Sequence, residues 1–149
     1  MEGWNGGVME WNDGVMERRN INRGFKKLRV WNDAVDLYVL TCKILSGFPF
    51  ELKKTAGNCI DSSHSIIRNI AEGNSRRSVK EYIHFLYIAL GSSGEYHSCI
   101  CSFLAAAQIT KTEFDQLDEL HYKTENELIQ LIKSVSSKMK KGEWIESLE

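Results

Sequence analysis

The sequence predicts an all-α protein, an antiparallel up-and-down four-helix bundle, and three observations carry the prediction. One proline stands in 149 residues, so almost nothing interrupts helical hydrogen bonding. Apolar residues recur at spacings of three and four over four long stretches, the period of a helix with a buried stripe. Short links carrying helix stop and start residues separate the stretches, and long helices on short links pack as antiparallel neighbours. The bundle is expected over residues 24–141, between a leader (1–23) and a C-terminal tail (142–149).

The leader holds a duplication. Trp4-Asn5-Gly6-Gly7-Val8-Met9-Glu10 is followed by Trp11-Asn12-Asp13-Gly14-Val15-Met16-Glu17. Two copies do not build a solenoid. The glycines disfavour a helix and no apolar period is sustained, so this segment is expected to be poorly ordered. It has no apolar core of the kind a signal peptide carries.

The first helix is expected over 27–45. Val30, Ala34, Leu37, Thr41 and Ile44 form one stripe, and Trp31, Val35, Tyr38, Cys42 and Leu45 form a second. Ser46-Gly47-Phe48-Pro49 ends it with a glycine stop and a proline. The second helix runs to Glu72 on the stripe Ala56, Cys59, Ile60, Ser63, Ile66, Ile67 and Ile70, with Gly73 as its stop. The third opens on a capping box, Ser78-Val79-Lys80-Glu81, and runs to Ala107. It too has two stripes, Tyr82–Leu86–Ala89–Ser93–Tyr96–Ile100–Phe103 and, one residue later, Ile83–Tyr87–Leu90–Gly94–His97–Cys101–Leu104. The fourth opens on the capping box Thr110-Lys111-Thr112-Glu113 and carries Leu117, Leu120, Thr124, Leu128, Leu131 and Val135. One stripe suffices for a bundle core. The second stripes on helices one and three therefore imply more apolar surface than one copy buries, and a homo-oligomer is the simplest cover.

Composition excludes several classes. At 42% hydrophobic and 26% charged residues the chain is no disordered tail, and its net charge of −1 gives no global pull toward nucleic acid or anionic lipid. No apolar run reaches the length of a membrane span. The four cysteines, Cys42, Cys59, Cys99 and Cys101, form no C-x-x-C pair. They read as small buried hydrophobes of a cytoplasmic protein.

A longer pattern runs through the middle of the chain: Asn69-Ile70-Ala71-Glu72-Gly73, Arg76-Arg77-Ser78, Glu81-Tyr82, Phe85-Leu86, then Ile88-Ala89-Leu90-Gly91-Ser92-Ser93-Gly94-Glu95. With the opening Phe25-Lys26-Lys27-Leu28-Arg29-Val30-Trp31, it resembles the four-helix bundle family of proteins encoded in 23S rRNA intervening sequences. It is similar also to the accessory variability determinant of diversity-generating retroelements. The resemblance spans residues 25–140 and leaves the leader outside. It implies a bundle assembling as a homo-oligomeric ring, typically a pentamer, without established enzymatic activity. It also implies RNA, DNA or a reverse transcriptase as a partner. The chain departs from the pattern at Ile60-Asp61-Ser62-Ser63, where many members carry paired arginines.

Three readings of function stand beside one another. In the first, a nucleic-acid accessory, Arg68, Arg76, Arg77 and Lys80 contact phosphate. Residues 52–80 hold six basic and two acidic side chains, and arginine forks beside a helix N-terminus suit an anion. Against it, Arg68 and Glu72 sit at i, i+4 spacing, which favours an intrahelical pair. The second is a pure assembly module, in which Asn69, Glu72, Gly73, Gly91, Ser92, Gly94 and Glu95 serve helix packing or oligomer contacts. Two glycines in Gly91-Ser92-Ser93-Gly94 each cost about 1 kcal/mol in a helix. A close crossing with helix two or with a neighbouring subunit would offset this. The third is a metal-binding bundle enzyme. Asp61-x-x-His64, Glu81-x-x-His84 and Asp118-x-x-His121 share the i, i+3 spacing of di-iron bundles. Only one copy has glutamate, and helix one offers Asp33 and Asp36 near its start and no central glutamate, so no metal ligand, cofactor or catalytic residue is assigned. His97, within a stripe, reads as a satisfied interface histidine.

Overall fold

The computed structural model describes residues 4–5, 8–9 and 23–140. Its helices are α1 (Arg29–Leu45), α2 (Lys53–Asn74), α3 (Val79–Ala105) and α4 (Lys111–Lys140). Short 3-10 turns at Gly24–Lys27 and Phe50–Leu52 lead into α1 and α2. Each helix packs on its neighbours in the chain, and α4 closes back on α1. Side-chain pairs show the antiparallel run: late α2 meets early α3 at Gly73 and Tyr82, and Ser65 meets Ser92 further along. Ser93 of α3 then meets His121 of α4, and Lys123 of α4 reaches Asp33 near the start of α1.

The first copy of the leader repeat carries a minimal hairpin, β1 (Trp4–Asn5) and β2 (Val8–Met9), antiparallel with Trp4 opposite Met9. The second copy (11–17) and the C-terminal tail (142–149) lie outside the described residues.

The core is the expected apolar stripes, with Leu37, Ile66, Ile70, Leu86, Ile100, Phe103, Leu117 and Leu128 fully buried. On α4 the stripe is rotated. His121 and Ile132 take core positions, while Leu120 and Leu131 are half-buried at the rim. In the core, Thr41 donates to the Leu37 carbonyl at 2.6 Å and shares a 2.7 Å hydrogen bond with the Tyr96 hydroxyl of α3. The second stripe of α1 is covered, with Trp31 and Leu45 buried and Val35, Tyr38 and Cys42 half-buried. That of α3 is not: Tyr87, Gly94, His97 and Cys101 are exposed. The surplus apolar surface expected on both helices is thus found on one.

Caps follow the sequence closely at α4, where Thr110 Oγ1 accepts from the Glu113 amide and Glu113 Oε1 accepts from the Thr110 amide, at 3.0 and 2.8 Å. The Ser78 hydroxyl accepts from the Glu81 amide at 3.4 Å. At the far end of α3 the Gln108 amide bonds the Phe103 carbonyl and the Ala107 amide the Leu104 carbonyl. This is a Schellman turn with alanine at φ 57° where glycine is usual, so α3 ends two residues before the expected Ala107.

Gly73 is not the stop of α2. The helix continues through it to Asn74, and the residue is buried. A Cβ there would lie 2.9 Å from Phe85 Cβ, 3.0 Å from Tyr82 Cδ1 and 3.2 Å from the Tyr82 carbonyl. Only a residue without a side chain lets α2 and α3 approach this closely. Gly91 and Gly94 behave in the opposite way. Both are exposed, nothing lies within 4 Å of a Cβ placed on either, and the crossing with α2 expected there is not made. Gly73→Ala should therefore destabilise the protein by about 1–3 kcal/mol despite alanine's better helix propensity. Urea unfolding of the two proteins checks this, and a variant as stable as the parent would show that α2 and α3 yield freely.

Candidate functional site

The basic corner comes from the turn between α2 and α3. Arg76 follows the end of α2, where its guanidinium pairs with Glu72 and lies 4.9 Å from the centre of the Phe85 ring. The expected Arg68–Glu72 pair is replaced: Arg68 turns back along α2 to Asp61, 3.4 Å away, and to His64 Nδ1 at 2.8 Å. Its side chain and that of Asp61 remain 50% and 74% exposed, so the pair contributes little to stability. Arg77 and Lys80 are exposed beside the start of α3. Arg68 and Arg76 pair with the α2 carboxylates Asp61 and Glu72, and Arg77 and Lys80 are both exposed on the same corner.

The pattern residues around this corner fall into two groups. Asn69 donates to the Ser65 carbonyl at 2.8 Å and to the Ser65 hydroxyl at 3.1 Å, and the Ser65 hydroxyl meets that of Ser92 at 2.8 Å. Asn69 and Ser92 thus join α2 to α3 through Ser65, above the tight contact at Gly73. Gly91, Gly94 and Glu95 lie on the exposed side of α3.

A second polar centre lies between α3 and α4. The Ser93 hydroxyl donates to Glu125 at 2.7 Å. The His121 Nε2–H is then the donor both to the Ser93 carbonyl and to that hydroxyl, each 2.9 Å away. Burial holds the His121 imidazole below its ordinary range, against the opposing pull of the Ser93 carbonyl and Glu125. Beside it the His97 ring stacks at 5.0 Å and 9°, and His97 Nε2 is 3.1 Å from Asp118. Cys101 is exposed, contrary to the expectation of buried thiols, and its sulfur is 3.6 Å from His97 Nε2. Cys59 meets that expectation: burial first, then the neighbouring Cys99 thiol, pushes its thiol far up.

Of the three i, i+3 pairs, two remain separate. Asp61 and His64 serve Arg68, and Glu81 and His84 are exposed on α3. Asp118–His121 meets His97 across the seam, and the three donor atoms lie within 4.8 Å of one another. Sequence reasoning missed this junction because His97 sits on a different helix and no spacing rule connects it to α4.

Where α4 packs on the first half of α1, Asp33, Asp36 and Glu127 cluster around Lys123 and Arg29. Burial, then the neighbouring Asp33, raises Asp36 to about 6, and Lys123 opposes. Burial and Asp33 raise Glu127 to about 7 against Lys123 and Arg29. Both Glu127 oxygens are buried, beside Asp33.

These features define an up-and-down four-helix bundle with polar seams and one uncovered helix face. The chain belongs to the 23S rRNA-intervening sequence protein family, whose model matches residues 26–139. In fold it is similar to a crystal structure of a protein of unknown function from the S23 ribosomal protein family of Bacteroides thetaiotaomicron. The two share 20% identity and a TM-score of 0.63, over 70% of this chain and 95% of that one. No curated protein matches the chain. Among the described residues, no helix is long and apolar enough to cross a membrane.

A pH test follows from Glu127. Its carboxyl is harder to ionise in the fold than in the open chain, so its stabilising contribution is present below about pH 4.5 and is lost as pH rises through about 7. Glu127→Gln should melt about 2–4 °C above the parent at pH 8 and close to it at pH 5. Equal melting temperatures at both pH values would contradict the burial of this carboxylate.

Proposed function

We propose that the protein is a non-catalytic assembly module that self-associates through the uncovered face of α3. The single observation behind this is Tyr87, 56% exposed, with Ile88 beside it and bare backbone at Gly91 and Gly94 one and two turns on. Successive helix positions are 100° apart, so residues 87, 91 and 94 form one line. The line faces neither α2, which takes Ser92, nor α4, which takes Ser93 and His97. Glycines that cost helix stability and touch nothing within the protomer make sense where another helix must come close. The family resemblance supports a homo-oligomeric ring, with five copies as the expected number.

Native mass spectrometry should find an oligomer at micromolar concentration. Tyr87→Glu should shift it to a folded monomer, because the exposed tyrosine contributes nothing to the protomer core. A folded parent monomer under those conditions would refute the reading. Gly91→Leu adds a companion test, since it should block assembly yet leave the protomer folded.

A second reading, favoured by the gathering of Arg68, Arg76, Arg77 and Lys80 around the α2–α3 turn, gives the assembled corners a role in holding nucleic acid. Phosphate contact of this kind ignores sequence and weakens with salt, and repetition around a ring multiplies a weak contact. Fluorescence anisotropy with single-stranded RNA and duplex DNA at two salt concentrations tests it. Binding at low salt should fall at least tenfold in Arg77→Glu/Lys80→Glu. No binding at low salt, or binding unchanged in that variant, excludes the corner as a nucleic-acid interface.

A further inference from the structure

The seam between α3 and α4 gathers a donor set that neither reading uses. His97 and Cys101 stand four residues apart on one face of α3. Asp118 and His121 stand three apart on the facing side of α4. His97 Nε2 is 3.1 Å from Asp118 Oδ1 and 3.6 Å from the Cys101 sulfur, and donor atoms of His97, Asp118 and His121 lie within 4.8 Å of one another. We propose that His97, Asp118 and His121, completed by Cys101, bind a Zn2+-type transition-metal ion that ties α3 to α4.

The chemistry of the donors selects the class of ion. Two imidazoles, a carboxylate and a thiolate form a mixed nitrogen, oxygen and sulfur set that suits a four-coordinate borderline metal. Mg2+ and Ca2+ prefer oxygen alone.

The arrangement around His121 also prepares it as a ligand. Its hydrogen bonds all use Nε2, which donates to the Ser93 carbonyl and hydroxyl. The ring lone pair is thereby placed on Nδ1. The Ser93 hydroxyl donates onward to Glu125, so the ring is anchored from behind in the way outer partners hold metal-bound histidines.

The remaining ligands can move to meet an ion. Ligands about 2.0–2.3 Å from a tetrahedral Zn2+ lie about 3.4 Å apart, so the set must contract, the His97 ring must turn out of its parallel stack on His121, and the Cys101 sulfur must swing in from its place against His97. His97 and Asp118 are 46% and 41% exposed and can adjust by rotation without disturbing the core. The same exposure gives the ion a path in. Binding needs the thiol of Cys101 and any proton shared by His97 and Asp118 to leave, so it should release protons.

The test uses the untagged full-length chain, reduced and stripped of metal with a chelator. Isothermal titration with Zn2+ alone should give one ion per chain with a Kd of about 1 μM or tighter. A saturating ion should raise Tm, because the unfolded chain cannot assemble the site. His97→Ala and Asp118→Asn should each weaken binding at least about tenfold. Both should keep the parent's circular dichroism and metal-free Tm, since neither side chain is in the core. With Co2+ the parent should show tetrahedral visible bands and a thiolate charge-transfer band that Cys101→Ser removes. No saturable binding below about 100 μM, or affinity unchanged in His97→Ala, would overturn the site and leave the His97–Asp118 contact as an ion pair. A Co2+ spectrum insensitive to Cys101→Ser would overturn the assignment of the fourth ligand.

Discussion

The approach of α2 to α3 at Gly73 sets the rest of the molecule. With no side chain at that position, Tyr82 and Phe85 pack directly on the α2 backbone. The helices are then close enough for Ser65, about two turns of α2 from Gly73, to share a hydrogen bond with Ser92. This contact fixes how α3 is rotated. Ser92 is turned to α2, Ser93 to α4, and the arc between them, holding Tyr87, Gly91 and Gly94, is left open. The same contact holds the corner: Phe85, locked against Gly73, is the ring over which the Arg76 guanidinium lies. A bulkier residue at 73 would push α3 away and disturb the charge pattern and the uncovered face together.

Much of this was legible in the residues because helix formation and helix packing leave periodic marks. The order of four helices, the capping boxes before α3 and α4 and most core positions follow from spacing and cap chemistry. What escaped was the identity of the special residues. Gly73 precedes a turn and resembles a stop, but its reason is steric and lies on another helix. The glycines at 91 and 94 resemble a crossing, yet the protomer offers them nothing to cross. His121 was legible only as half of a weak motif. It is a buried residue hydrogen-bonded to Ser93, and polar residues do not register in an apolar stripe.

The charged side chains divide by what the helix backbone already offers them. Arg68 and Arg76 find partners one or two turns away on the segment that carries them, and such partners are weak because both members stay wet. Asp36 and Glu127 meet the opposite condition. They lie where α1 and α4 close the bundle, and burial outweighs the nearby Lys123 and Arg29 in setting their protonation. The bundle thus tolerates charge at its corners and suppresses it at its seam.

α3 carries three edges that place different demands on one helix. Toward α2 it must be smooth, which Gly73 on the partner and Ser92 on α3 provide. Toward α4 it must satisfy polar atoms, which Ser93 does through His121. Its third edge has no partner in the protomer and combines aromatic and aliphatic surface with two glycines. A solvated helix face has no use for that combination, since alanine or lysine at 91 and 94 would stabilise the helix more. Close approach of another backbone would give those glycines a role. The proposed metal ligands sit at the boundary between the second and third edges, with His97 on the α4 side and Cys101 toward the open face. An ion bound there would stiffen α3 beside the surface proposed for assembly, so metal binding and self-association would be linked through the rigidity of one helix and not through a shared residue.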